Sequence, residues 1–348
     1  MTTLAAEPAP RRRRASDDGP VQSLPRARAR SALCIGIDAY AAAPLQAGAD
    51  DADRWARALA ESGFEVLMLQ DRNATRDRIQ AAISDLLAAA EDGSEAVIQF
   101  AGHATQLPDP SAKANDRLLS ALVPFDYLSA GCISHADLAA MLLPHADRVR
   151  ITLFFDCSHP GSSVYPVTDS ERENAARIPY REGQAAGLRR RYLPLASQPI
   201  AAMAARKSPL QGLRSPPTLG ALRPASQWVH VAAASKGEFA FESAAGGQFS
   251  LAALRHLPRA INEHWLPARF LDAVRSALPT QQVQTPQLLA SAGSRSGQAM
   301  LGNPPGELGT NGVASVNSLS LRELIRAVDA LSAEAAEPDP VEPDPKCR

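Results

Sequence analysis

Residues 32–37, "ALCIGI", form a short apolar run that stops at Asp38, a turn former. A strand covered on both faces reads this way, because neither side has to alternate with polar residues, and such strands belong to parallel sheets. The next stretch, residues 49–62 ("ADDADRWARALAES"), sets Ala52, Trp55, Ala56 and Leu59 on one helical face. Gly63 follows where a left-handed C-terminal cap belongs. A strand at 64–69 comes next, then an amphipathic helix at 75–90 with Ile79, Ile83, Leu86 and Leu87 inward, then an apolar strand at 96–100.

Further along, Ser134 can cap a helix reaching Leu143, and strands are expected at 149–155 and from Trp228. Gly246-Gly247 marks a turn before a helix to about Ile261, a further helix covers 268–278, and residues 286–289 read as an edge strand, where a leading Pro is tolerated. Alternation of this kind implies right-handed crossovers: an α/β fold with a mostly parallel, six-stranded sheet and helices on both faces. Ligands in such folds collect at the carboxyl ends of the strands.

Composition bounds the rest. The 348 residues are 45% hydrophobic and 21% charged, as expected of a globular protein able to bury a core. The net charge of -1 gives no overall pull towards nucleic acid or an anionic membrane. Arginines at 11–14, 26, 28 and 30 make a basic arm, but no apolar segment follows them as a secretory signal needs, and no aromatic residues interleave as in nucleic-acid modules. No run approaches a membrane span. Cys34, Cys132, Cys157 and Cys347 lie far apart without a CxxC pair, which argues against a disulfide framework or a zinc site and for a reducing cytoplasm. No cofactor or metal is expected. The organisation expected is a disordered Arg/Pro-rich arm at 1–30, a domain at 31–292 and a mostly disordered tail at 293–348 with a helix near 320–335. Within the domain, 160–226 reads as a long surface loop with a short helix, a possible lid.

Chemistry concentrates at two strand ends. The first is Gly102-His103-Ala104, where small neighbours let a substrate backbone approach and leave main-chain N–H groups free to donate. The second is residues 154–161, "FFDCSHPG", where a thiol, a hydroxyl and an imidazole follow an acid. His103 can be a general base or a structural histidine; Cys157, a strand residue, can be a nucleophile or a small buried hydrophobe.

The ordered series "ALCIGID", "LQAGADDADRWARAL", "GFEVLMLQDRNATRDRI", "FAGHATQ", "ALVPFD", "FFDCSHPG" and "FESAAGGQFSLAALRHL" resembles the caspase-like peptidases, particularly the bacterial metacaspase-type branch, over residues 31 to about 290. The resemblance implies a caspase-like fold. It matches His103 to the family's base and Ser158 to its cysteine nucleophile, so that oxygen stands where the family has sulfur. Gly102 and Ala104 are the implied oxyanion-side positions. Asp51 matches one acid of a pocket that binds a basic side chain, with a helix first-turn acid as the other reading; Glu238 is the second acid on offer. A calcium-binding segment of the family reads Ile133-Ser134-His135-Ala136-Asp137 here and has lost acids, so calcium activation through it is not expected. A hydroxyl ionises far less readily than a thiol and depends wholly on its base. The expectation is therefore a weak or inactive endopeptidase homologue that binds a peptide or protein; the alternative is cleavage after Arg or Lys through Ser158, or Cys157, with His103. Oligomeric state is not set by any of these features.

Overall fold

The computed structural model describes residues 28–108, 118–158, 187–194, 227–235, 238–279, 284–290 and 297–302. All of them fall within the compact unit Met1–Pro305. Of the arm expected at 1–30, Arg28–Arg30 instead open the first strand, and of the tail expected at 293–348, Met300 and Leu301 pack into the core; residues 1–27, the expected helix near 320–335 and Cys347 lie outside the described residues.

The chain opens as the alternation predicts: β1 (Arg28–Gly36), α1 (Gly48–Glu61), β2 (Glu65–Gln70), α2 (Arg76–Ala89) and β3 (Ala90–Ala101). Then follow β4 (Ala104–Pro108), β5 (Leu118–Leu122), a single turn α3 (Tyr127–Ala130), β6 (Ile133–Ser134), α4 (His135–Leu142) and β7 (Arg150–Asp156). The remainder comprises β8 (Arg189–Arg190), β9 (Trp228–Ala232), β10 (Phe241–Ser243), β11 (Gly246–Gly247), α5 (Gln248–Asn262), α6 (Pro267–Ala277) and β12 (Gln287–Ala290).

The central sheet has six strands in the order β12-β9-β7-β3-β1-β2. Every pair is parallel except β12 on β9, the antiparallel edge. Alternate residues of β1 supply opposite cores. Leu33 and Ile35 pack with Ile79, Ile83 and Leu86 of α2 and Leu138 and Leu142 of α4. Ala32 and Cys34 pack with Trp55 of α1, Phe249 of α5 and Phe270 of α6. From β1 the chain steps one way to β2 and then back across to β3, so the sheet changes winding direction between β1 and β3. A crevice opens at such a switch, and the loops after β1, β3 and β7 border it.

Two features depart from the sequence reading. The stretch after His103 is not a plain loop: β4, β5 and β6 form a small antiparallel sheet. Residues 160–226 are not surface loop throughout, because β8 pairs antiparallel with β10 and carries the chain into the crevice. Both are two- to five-residue strands, too short for a period of two to stand out in sequence. Among the described residues no helix is long and apolar enough to cross a membrane.

Candidate active site

His103 follows β3 and is fixed from two sides. Its backbone N–H donates to the hydroxyl of Tyr40 at 3.0 Å, and that hydroxyl donates to the carbonyl of Val123 at 3.0 Å. The Tyr40 and His103 rings lie 4.6 Å apart. On the other side Nε2 is 2.7 Å from the carbonyl oxygen of Ala43. A carbonyl can only accept, so Nε2 carries the proton and Nδ1 is the bare acceptor. Nδ1 is buried and makes no hydrogen bond. Ala43 holds its carbonyl there from a left-handed backbone (φ 52°), a conformation that costs a non-glycine residue roughly 1–2 kcal/mol. Burial, aided by the charge of Arg191 and opposed by the Ala43 carbonyl, lowers the His103 pKa to about 4.

Strand β7 decides the fate of the adjacent thiol and hydroxyl. Ile151, Leu153, Phe155 and Cys157 alternate onto the α2–α4 side, and Cys157 has no exposed surface. Burial and then the neighbouring Asp156 push its thiol pKa well up, so it is held protonated. Ser158 is equally buried but differently engaged. Its backbone N–H donates to the carbonyl oxygen of Arg191 at 3.1 Å, and its Oγ accepts from the N–H of Ala240 at 3.0 Å. No hydrogen bond joins Ser158 to His103.

Beside Ser158 lies a buried cage of three carboxylates around one guanidinium. Arg191 Nη2 pairs with Asp51, and with Glu242 at 3.2 Å; Nη1 pairs with Asp156 at 2.9 Å, and Nε donates to Glu242 at 3.3 Å. Asp51 comes from the first turn of α1, Asp156 from the end of β7 and Glu242 from β10. The turn into α5 adds amides: Gly247 N–H donates to Asp51 at 2.8 Å and Ser250 N–H to Asp156 at 3.0 Å. A side chain at Gly247 would run into Asp156 and into Nη1 of Arg191, the latter at 2.6 Å, which is why glycine stands there. Desolvation works against the guanidinium, yet Asp156, Asp51 and Glu242 outweigh it and raise its pKa. Arg191, with the part-exposed Arg54 whose Nη1 lies 3.3 Å from Asp51, does not balance three anions: burial, with repulsion from Asp156, leaves Asp51 raised to about 6, and burial raises Glu242.

The main chain of Arg191 is held as firmly as its side chain. Its carbonyl oxygen accepts from Ala104 N–H at 3.3 Å as well as from Ser158 N–H. Two amides converging on one carbonyl oxygen are the arrangement that steadies an oxyanion.

Residues 30–165 match the family described as metacaspase, peptidase C14 domain. Over that segment the chain is similar to caspase-like peptidases of the metacaspase type. It is 28% identical over 172 residues to metacaspase-2 of Trypanosoma brucei brucei, covering 44% of this chain and 49% of that one. It is 30% identical over 147 residues to metacaspase-1 of Cryptococcus neoformans, covering 39% of this chain and 32% of that one. The chain thus spans about half the length of the trypanosome relative. A crystal structure of a Geobacter sulfurreducens protein superposes with a TM-score of 0.61 at 23% identity, covering 81% of this chain and 98% of that one, a likeness of fold.

Laid on the caspase-like domain, the sequence-derived positions sort as follows. His103, Ala104, Ser158 and Asp51 gather around Arg191, whereas Cys157 lies in the core on the α2–α4 side. Gly102 offers no amide to the Arg191 carbonyl, because its N–H turns to the carbonyl of Asp156 at 3.5 Å; the second converging amide belongs to Ser158. Glu238 stands apart from the cage, accepting from Ser235 N–H at 3.2 Å and Thr285 N–H at 2.7 Å. Glu242 fills the cage instead, four residues further along "GEFAFES". The calcium-like segment starts α4: Asp137 accepts from Ser134 N–H at 2.9 Å in a capping box. Among the described residues no cluster of His, Cys, Asp or Glu is arranged to hold a metal ion. Arg191 and Tyr40 had no forewarning. Arg191 closes the run Arg189-Arg190-Arg191, which as sequence reads as solvated charge.

Proposed function

We propose that this caspase-like domain is a weak or inactive peptidase homologue that acts by binding a peptide or protein, with Ser158 in the nucleophile position and His103 in that of the base. The observation that carries the reading is the state of the two side chains. Ser158 Oγ is occupied as an acceptor from Ala240 N–H, and His103 Nδ1 makes no hydrogen bond. An alcohol becomes a nucleophile only by passing its proton to a base in the transition state. Here the pair is not joined, and the imidazole, at about 4, is a feeble base. Cys157 is a poor substitute, being buried in the apolar core with a raised pKa.

A second reading has a specific observation behind it. The cage of Asp51, Asp156 and Glu242 receives a planar guanidinium through several donors, which suits an arginine side chain better than a lysine. Residual cleavage after arginine through Ser158 and His103 is therefore the alternative. Fluorogenic arginyl and lysyl peptides, with and without calcium, separate the two: turnover by the native chain that His103→Ala abolishes sinks the impaired reading.

We propose that the expected domain at 31–292 extends a little beyond both bounds, since β1 begins at Arg28 and Met300 and Leu301 pack into the core. The cytoplasm stays our proposed compartment, supported by Cys34, Cys132 and Cys157 as buried free thiols, the state a reducing medium maintains.

A further inference from the structure

Residues 189–193 lie in the crevice in the way an extended peptide adds to a sheet edge. On one side Arg190 pairs with Phe241 and Arg189 with Glu242, antiparallel, and Arg191 N–H donates to the Ala240 carbonyl at 2.9 Å. On the other side Tyr192 bridges Ala104 in parallel, and Leu193 N–H donates to the Ala104 carbonyl at 3.0 Å. Between these rails the carbonyl of the Arg191–Tyr192 bond sits on the amides of Ala104 and Ser158, and the Arg191 side chain fills the carboxylate cage with no exposed surface. Every contact that would recognise an arginyl peptide is made by the chain itself.

We propose that residues 189–193 are a built-in occupant of the cleft, an internal pseudosubstrate with Arg191 in the cation pocket, which excludes outside arginyl peptides until it is displaced. The inference rests on the assignment of Ser158 to the nucleophile position, which makes the Arg191–Tyr192 bond the one presented for attack. Charge dictates the chemistry of any competitor. An emptied cage would leave three buried carboxylates without their guanidinium, at a cost that disfavours simple opening. Displacement is thus an exchange of one guanidinium for another, and the displacing partner is a peptide bearing an exposed arginine in an extended segment.

The test is fluorescence anisotropy with a labelled arginine-amide peptide and a citrulline-amide control. It compares the full native chain, Arg191→Ala, and the double variant Tyr192→Ala/Leu193→Ala, which strips the side chains that pack beside one rail, the Tyr192 ring against Phe239 and the buried Leu193, while leaving the cage charges unchanged. The native chain should bind little; Arg191→Ala should bind at least tenfold tighter, and its melting temperature should rise with arginine amide but not with citrulline amide. The double variant should bind more tightly than the native chain, and its binding decides between the outcomes if Arg191→Ala does not fold. Equal binding by the native chain and every folded variant would overturn the proposal, as would native protein found by mass spectrometry to be cut between Arg191 and Tyr192. Parallel turnover assays keep the two readings apart. Cleavage by the native chain that rises in Arg191→Ala removes the impaired reading but keeps the internal occupant, whereas silence throughout with no gain in binding does the reverse.

Discussion

Oδ2 of Asp156 lies 2.9 Å from Nη1 of Arg191. The same oxygen accepts from Ser250 N–H, so a single carboxylate caps α5 and closes the cage. Asp156→Ala should cost about 3–5 kcal/mol in urea unfolding, because it deprives a buried guanidinium of a partner and a helix of its cap. Asp156→Asn should cost far less, since the amide oxygen can still accept and the cage carries surplus negative charge. Equal losses in the two variants would show that the charge, rather than the acceptor, does the holding.

Ser158→Cys should turn the occupant into a substrate. Sulfur is a weak acceptor, so the hold of Ala240 N–H is relaxed, and a thiol ionises far more readily than an alcohol. The thiol would pass its proton to the bare Nδ1 of His103 and attack the Arg191 carbonyl carbon as thiolate, the amides at 104 and 158 would carry the oxyanion, and the Tyr192 nitrogen would leave with that proton. Water would then hydrolyse the thioester. Mass spectrometry should find a fragment beginning at Tyr192. Adding His103→Ala should slow its appearance by about 10²–10⁴-fold, the usual weight of a general base.

Gly247→Ala should be poorly tolerated although glycine-to-alanine changes often stabilise. The added methyl meets Asp156 and Arg191 side chains that are themselves locked in the cage. Overpacking of this kind costs about 1–3 kcal/mol, readable as a lowered thermal midpoint.

Acid should loosen the fold. Burial first of all depresses three imidazoles, His103 to about 4 and His135 and His230 each to about 3. In the unfolded chain they take up protons near pH 6.5, which the folded protein refuses, so the stability they lend is complete above about 6.5 and is lost as pH falls towards 3–4. Asp51 works the other way. Raised to about 6, it is protonated in the folded state before the unfolded one, and stability is gained as pH falls from about 6 towards its ordinary value. Glu242, also raised by burial, acts in the same sense as Asp51; three groups oppose two, so the melting temperature should drop between pH 7.5 and 5. His230, whose ring nitrogens make no hydrogen bond and whose ring meets Phe155 at 4.7 Å, offers the check. His230→Leu should shrink that drop.

The scaffold was open to reading because buried parallel strands and amphipathic helices write their periods into sequence. Residues 32–37 and 49–62 needed little more than alternation and a cap to be placed. His103, Ser158 and Asp51 were legible too, since each follows or starts such an element. The cage resisted for a physical reason. Arg191 becomes buried only because three acids from distant elements surround it, and an isolated "RRRY" carries no trace of that pairing. Glu242 was missed for Glu238, four residues earlier, because it sits in a three-residue strand too short to show its face. Cys157 illustrates the opposite case: the alternation of β7 carried one residue past its end sufficed to read it as core.

The cage also bears on how the chain folds. It joins Asp51 to Arg191 across 140 residues and Asp51 to Gly247 across 196. Contacts of such long range demand that large loops close before they repay the entropy lost. The six-stranded sheet can assemble from nearer neighbours, whereas the crevice requires the first helix, the seventh strand and the tenth to have met already. Pulse-labelled refolding should therefore find the amides of Arg191, Gly247 and Ser250 protected together and late, so that the binding cleft is the closing act of folding rather than its nucleus.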